Sequence, residues 1–282
     1  MRDLTAWREH RSGVAAVDEL VGALAVEQVS ESTFTGHSTT VPSHRVFGGQ
    51  ILAQSVVAAT MTVAAPAAPH SLHAYFVRAG RPDVKFQFAV TTLRDGRSFA
   101  VRRVDALQDN EIVTSMTASF HAQEDGLTHQ DPMPTRPAPT ELPARTPFLV
   151  SANGPATAGA VDLRACPPTP GGAESSVWLR VNGSLPDDPV LHQALLVYLS
   201  DFSILHGAFI RHDVARTQVR TASLDHSVWL HRPAHADDWL LYDSRSPSAA
   251  SARAVGRASM FTSNGDLAAT AAQEMLVRRL PD

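Results

Sequence analysis

One carboxylate stands alone in the second half of this 282-residue chain. In PVLHQALLVYLSDFSILHGAFI, Pro189 to Ile210, Asp201 is the only Asp, Glu, Lys or Arg. Its i−7, i−4 and i+4 neighbours are Ala194, Val197 and Leu205, so on a helix it shares an apolar face. Such a carboxylate is either solvated at an exposed helix end or buried. Burial would raise its pKa toward that of a general base working near neutral pH. Two uncharged polar candidates follow it: Ser223 in TASLDHSVWLHRP and Gln273 in DLAATAAQEM. Ala269, Ala271 and Gln273 share one strand face, where small residues would leave room beside a helix. Taken alone, Ser223 and Gln273 each read as ordinary structural hydrogen-bonding residues.

The first half carries a different feature, HRVFGGQILAQSVVAAT from His44 to Thr60. No Asp, Glu, Lys or Arg occurs between Val46 and Val77. The length would suit a membrane span, which needs roughly 20 predominantly apolar residues. However, Gln50, Gln54, Ser55, Thr60 and Thr62 fall inside it and Pro66 ends it, which fits packing against a sheet better than lipid. No GK[ST] follows the glycines, so it is not a phosphate loop. It reads as a buried helix entered through Gly48-Gly49. Glycine lets another group approach the backbone closely. The free N–H groups of a first helical turn suit an oxygen that gains negative charge, which makes Gly49 a candidate oxyanion donor. The plainer reading is a tight turn into the helix.

Composition narrows the class. Hydrophobic residues make up 44% and charged residues 18%, as in a globular protein, and the net charge is −4 with no basic arm or stripe. Nucleic-acid binding is not indicated. Cys166 is the only cysteine, which excludes a disulfide framework and a Cys-rich metal site. The 13 His form no HExxH or tight His/Asp cluster, so no metal is expected. The N-terminal MRDLTAWREHRSG has no apolar run behind it, and the expected compartment is the cytoplasm.

Ten of the 19 prolines lie between Gln123 and Ser175, a stretch that reads as an extended connector with a possible short strand at AVDLRAC. The flanking regions repeat one element order: an apolar helix, then an antiparallel meander. The first helix is expected over Gly48–Thr62. It is followed by strand-like LHAYFVRAG, VKFQFAVTTL, RSFAVRRVDAL and EIVTSMTASFH. The second is expected over Pro189 to about Gly207, behind an Asp187-Asp188-Pro189 start signal. After it come SVWLHRP, DDWLLYDSRS, ASARAVGRASMFT and DLAATAAQEMLV. His73 aligns with His226 at an offset of 153, and the Asn110 turn with the Gly265 turn at 155. The order implies an internal duplication. The expected fold is α+β, a double hotdog: two curved antiparallel sheets, each wrapped around a long central helix. The boundaries are 1–122 for the first hotdog, 123–159 for the linker and 160–282 for the second.

RVFGGQILAQSVVAA, HSLHAYFVRAGRPD, TLRDGRSFAVRRVDALQ, WLRVNGSLPDD, HQALLVYLSDF, LDHSVWLHRP and NGDLAATAAQE, in this order, resemble the acyl-CoA thioesterase II family. The resemblance runs from about Val17 to Val277, with the linker poorly matched. It implies hydrolysis of fatty acyl-CoA to free acid and coenzyme A, without cofactor. That family holds and activates water with an Asp, a Ser or Thr, and a Gln. These fall on Asp201, Ser223 and Gln273, with Ser in the middle position. A covalent serine mechanism is not implied, since no G-x-S-x-G elbow occurs. Simple strand alternation puts Ser223 on the face of Asp225, Ser227 and Trp229, opposite Val228, unless the strand is irregular there.

Two alternatives remain. A hotdog enoyl-CoA hydratase carries an Asp and a His five apart, as Asp187 and His192 are here, but the accompanying Asn is missing and Pro is out of register. A non-catalytic acyl-CoA-binding hotdog would not need all three polar positions. Arg45, Arg78, Arg97, Arg102 and Arg103 could meet coenzyme A phosphates, although each reads more simply as a solvated cation. Exposed sheet edges suggest a homodimer or larger assembly.

Overall fold

The computed structural model describes residues 3–39, 45–144, 159–168 and 174–280. His44 and much of the proline-rich connector lie outside the described residues. Among the described residues, thirteen strands form one antiparallel sheet. Short helices α1 (Thr5–Glu9) and α2 (Ala15–Leu24) precede strands β1 (Glu27–Ser30) and β2 (Thr33–Gly36). Helix α3 (Gly48–Thr60) leads into β3 (Ala68–Phe76), β4 (Phe86–Asp95), β5 (Phe99–Gln108) and β6 (Glu111–His121). The second half begins with β7 (Val161–Ala165) and β8 (Glu174–Val181), followed by α4 (Pro189–Ser200) and α5 (His206–His212). It ends with β9 (Val219–Ser223), β10 (Asp225–Leu230), β11 (Leu240–Ala250), β12 (Arg253–Thr262) and β13 (Leu267–Arg279).

The strand order is β1-β2-β4-β5-β6-β3-β10-β13-β12-β11-β8-β7, with β9 pairing β13. Read from either end toward the centre, it is the same path. The two halves meet where β3 pairs β10. There Leu72 lies opposite Val228, His73 opposite Ser227 and Ala74 opposite His226. A two-fold relation through the His73–Ser227 pair makes Leu72 the counterpart of His226, an offset of 154 rather than the expected 153. The expected alignment fails for a physical reason: His73 is exposed on the outer face whereas His226 is fully buried, and a one-residue slip exchanges the faces of a strand.

The register extends the comparison. Leu72 pairs Ala118, and Ala118 pairs Arg102. In the second half Ser227 pairs Ala272, so continuing that register by one position sets His226 beside Gln273, and Gln273 pairs Gly256. Thus His226, Gln273 and Gly256 occupy the places that Leu72, Ala118 and Arg102 hold in the first half. Arg102 is 2% exposed, not the solvated cation its sequence suggested. It donates from Nη2 to Thr62 O and from Nε to Thr62 Oγ1, holding the chain just past the end of α3, and it pairs with Asp95. At Gly256 the Ile204 backbone takes the side-chain place instead. A Cβ there would lie 2.3 Å from Ile204 O, so only glycine lets the segment after α4 lie against β12. Gly256→Ala is therefore expected to cost about 2–3 kcal/mol of stability, read as a lower denaturation midpoint.

The glutamines of α3 explain why an uncharged helix carries polar groups. Gln50 Oε1 accepts from Thr39 N and Thr39 Oγ1, and Gln54 Nε2 donates to Ala23 O and His37 O. They bind the chain that wraps the helix, satisfying buried backbone groups. Helix α4 starts as expected: the Asp188 side chain accepts from Val190 N, with Pro189 at the first helical position. It stops at Ser200 and does not run to Gly207. Beyond it, hydroxyl groups of β11 reach the carbonyls: Tyr242 donates to Ser200 O at 2.6 Å, and Ser244 shares its hydrogen between Ser175 O at 3.1 Å and Ser203 O at 3.3 Å. The break places Asp201 at the C-cap, with φ −89° and ψ 3°, instead of in mid-helix.

Candidate active site

Asp201 lies where the end of α4 meets the start of α3. Its Oδ2 accepts from the Gly49 N–H at 2.9 Å, and its Oδ1 accepts from Gln273 Nε2 at 2.6 Å. Gln273 Nε2 also donates to Ser223 Oγ at 3.3 Å. Four residues singled out in the sequence thus share one hydrogen-bonded cluster, across 152 residues of chain between Gly49 and Asp201. The carboxylate also fixes the amide orientation, since the reverse would set Gln273 Oε1 against a carboxylate oxygen. Gln273 Oε1 is buried and has no partner among the described residues.

The glycine entry to α3 is required by this contact. A Cβ on Gly48 would stand 2.9 Å from Asp201 Oδ2, and one on Gly49 would stand 2.6 Å from Tyr198 O. At Gly49 the obstacle is backbone, so a side chain there would part the two helices; at Gly48 it would displace the Asp201 carboxylate and the Phe76 ring.

Ser223 reaches the cluster through a strand irregularity. It pairs Met275 as the last residue of β9, whereas Ser227 pairs Ala272 in β10. Four steps along β9–β10 therefore match three along β13, which leaves one extra residue around Leu224. Leu224 N bonds Glu274 O, and the Asp225 side chain accepts from Glu274 N. This bulge turns Ser223 to the face of Gln273, which strict alternation had denied it.

The Asp201 side chain is 6% exposed, and the backbone carries the rest of the residue's accessibility. Burial raises its pKa from 3.8 to about 6; the bonds from Gln273 and Gly49 and the charge of Arg216 pull the other way. Protonation thus falls near neutral pH. Arg216, half-buried after α5, is an electrostatic neighbour that no sequence motif signalled. His226 was also missed. It is 0% exposed, its Nδ1 lies 4.0 Å from Asp201 Oδ1, and its Nε2 lies 2.7 Å from Ser200 Oγ. The alternation of His226, Val228 and Leu230 would have marked its inward orientation.

The Asp187–His192 pair of the hydratase alternative lies at the other end of α4. With His235, it brings atoms capable of binding a metal within 4.8 Å of one another. However, His192 Nδ1 accepts the Ala236 N–H, so in the neutral ring the proton is on Nε2 and neither nitrogen offers a free lone pair. A surface concavity of about 380 Å³, lined by Glu174, Arg211, Arg245, Ser246 and Pro247, includes none of the clustered residues.

Two family models match the chain: one described as acyl-CoA thioesterase over residues 160–276, and one as acyl-CoA thioesterase N-terminal domain over residues 37–121. Acyl-coenzyme A thioesterase 8 of Homo sapiens is 34% identical, covering 92% of this chain and 88% of that protein. The crystal structure of acyl-CoA thioesterase II TesB2 from Mycobacterium marinum superposes with a TM-score of 0.82 at 40% identity, covering 94% of this chain and 98% of that one. A structure from Alicyclobacillus acidocaldarius described as having a hot dog fold reaches a TM-score of 0.78 at 20% identity, covering 94% and 99%. Fold and sequence matches define a hotdog-fold enzyme of the thioester hydrolase class. The chain belongs to the acyl-CoA thioesterase II family. Among the described residues, no helix is long and apolar enough to cross a membrane.

Proposed function

We propose that this protein hydrolyses fatty acyl-CoA thioesters to free fatty acid and coenzyme A, using water activated by Asp201. The observation that carries this reading is a buried carboxylate with a pKa of about 6, held by Gln273 beside Ser223. A base must take a proton from water near neutral pH and must be fixed relative to it. Asp201 takes the proton. Ser223 Oγ and the free Gln273 Oε1 are the groups that hold the water, the hydroxyl as donor or acceptor and the amide oxygen as acceptor. Water so oriented attacks the thioester carbonyl, and the thiolate of coenzyme A leaves.

Gly49 remains the candidate oxyanion donor. Its N–H is bonded to Asp201 Oδ2, so this role requires the carboxylate oxygen to turn away when substrate is bound. Until then, Gly49 serves to hold the base in place.

We read the fold as a double hotdog, with residues 1–122 and 160–282 as the two halves and 123–159 as linker. The two-fold strand path and the positions of the two family matches support this division. A homodimer or larger assembly and a cytoplasmic location are parts of the same proposal. The test is release of free coenzyme A from a series of acyl-CoA chain lengths, with enoyl-CoA hydration assayed beside it. Hydration without hydrolysis would favour the hydratase. Inactivity at every chain length would favour a binding protein.

A further inference from the structure

His226 is a fully buried titratable group that the mechanism above does not use. Its surroundings define its protonation. The Ser200 hydroxyl donates its single hydrogen to Val197 O at 2.7 Å. The 2.7 Å contact between Ser200 Oγ and His226 Nε2 therefore needs a hydrogen from the imidazole. Burial drives the His226 pKa down to about 3, so the ring is neutral and has one N–H. With that hydrogen on Nε2, Nδ1 is a bare lone pair. It is buried, has no hydrogen-bond partner among the described residues, and lies 4.0 Å from Asp201 Oδ1. The contact is thus not an ion pair.

We propose that His226 is a positioning residue for the base: its Nδ1 lone pair faces Asp201 Oδ1 and accepts a hydrogen bond from that oxygen once Asp201 has taken a proton from water. This rests on the reading of Asp201 as the base. A lone pair beside a carboxylate oxygen disfavours the ionised form. Beside the acid form it is an acceptor, reached when the two atoms move roughly 1 Å closer. Both effects make Asp201 more basic. No proton leaves the imidazole; the step moves one proton from water to Asp201 Oδ1, which then bonds to Nδ1. Oδ1 can still accept from Gln273 Nε2 through its remaining lone pair.

The duplication supplies an internal control. The first-half counterpart of His226 is Leu72, in the half where Ala118 stands in place of Gln273 and where Arg102 stands in place of Gly256, whose side-chain space the Ile204 backbone takes. A leucine therefore suits this buried strand position, and the imidazole occurs in the half that holds the carboxylate. Among the described residues, the other charged or titratable groups near Asp201 are Arg216, after α5, and the Tyr242 hydroxyl, which donates to Ser200 O from β11. Neither is hydrogen-bonded to His226.

The test combines kinetics with NMR. His226→Leu should fold, lower kcat for acyl-CoA hydrolysis by about tenfold, and shift the acid limb of the kcat–pH profile down by about half a unit or more. In the wild type, ¹⁵N NMR of the imidazole should show the Nε2–H tautomer. The Nδ1 resonance should move on acidification along the same limb and stay still in Asp201→Asn. An Nδ1–H tautomer, or a His226→Leu variant with an unmoved acid limb, overturns the proposal. If His226→Leu does not fold, the wild-type NMR decides. If Asp201→Asn retains wild-type hydrolysis, the base assignment fails instead, which separates the two conclusions.

Discussion

Asp201→Asn should lower kcat for acyl-CoA hydrolysis by about 10²–10⁴-fold, the range for a lost general base. The substitution keeps size and shape but removes the proton acceptor. Its amide can be accommodated, because Gln273 can rotate to present Oε1 to the new NH₂ while the Asn oxygen accepts from Gly49. The folded protein should gain stability from the same change. The pKa of Asp201 is raised on folding, from 3.8 to about 6, so the folded state holds the proton more tightly. The cost of the carboxylate is absent below about pH 4, grows as pH rises through 6, and is constant above. About two pKa units correspond to roughly 3 kcal/mol, as an order of magnitude. Denaturation should find wild type and variant similar at pH 4. At pH 7.5 the variant should be more stable by about 1–2 kcal/mol, once a weaker hydrogen bond is allowed for. A variant less stable than wild type at both pH values would mean that the carboxylate is not strained by burial.

Gly49→Ala should damage fold and site together. The added Cβ would meet Tyr198 O and a ring carbon of Phe47 at 2.6 Å and Asp201 Cβ at 3.1 Å. The carbonyl belongs to the backbone of α4 and cannot turn aside as a side chain would. The helices must separate, lengthening the bond from Gly49 N to Asp201 Oδ2. Overpacking of this kind costs about 1–3 kcal/mol. Loss of alignment of the base should lower kcat by about 10²-fold. Thermal unfolding and steady-state kinetics of one preparation check both. A variant with wild-type stability and activity would show that the approach of the two helices is not required.

Much of this arrangement was legible where local chemistry is strong. Pro189 behind Asp188 marks the start of α4, and Gly48-Gly49 marks the start of α3, because caps and glycines act within a few residues. The Asp109-Asn110 turn, with both φ positive, is likewise local. The end of α4 was not legible. It depends on hydroxyls of Tyr242 and Ser244, more than 40 residues away, reaching carbonyls that the sequence offers as ordinary helix groups. The short, mostly exposed β1 and the largely buried β8 lack the alternation that identifies a half-buried strand.

The site divides in the same way. Asp201 stood out because an isolated charge in an apolar run is costly wherever the chain folds. Ser223 and Gln273 are ordinary in sequence, and the resemblance to a family pointed to them. The bulge at Leu224 that brings Ser223 round depends on Phe76 and Glu274, which a strand periodicity cannot see. Arg216 acts on Asp201 through space and has no signal in its own segment.

The most direct measurement is the kcat–pH profile for hydrolysis of one long-chain acyl-CoA by the purified protein, taken from pH 4.5 to 8.5. With Asp201 as the base, activity requires its carboxylate form. The rate should therefore fall on the acid side about tenfold per pH unit below an apparent pKa near 6, and level off above it. A rate that is flat from pH 4.5 to 8.5, or an acid limb that persists unchanged in Asp201→Asn, would contradict the account.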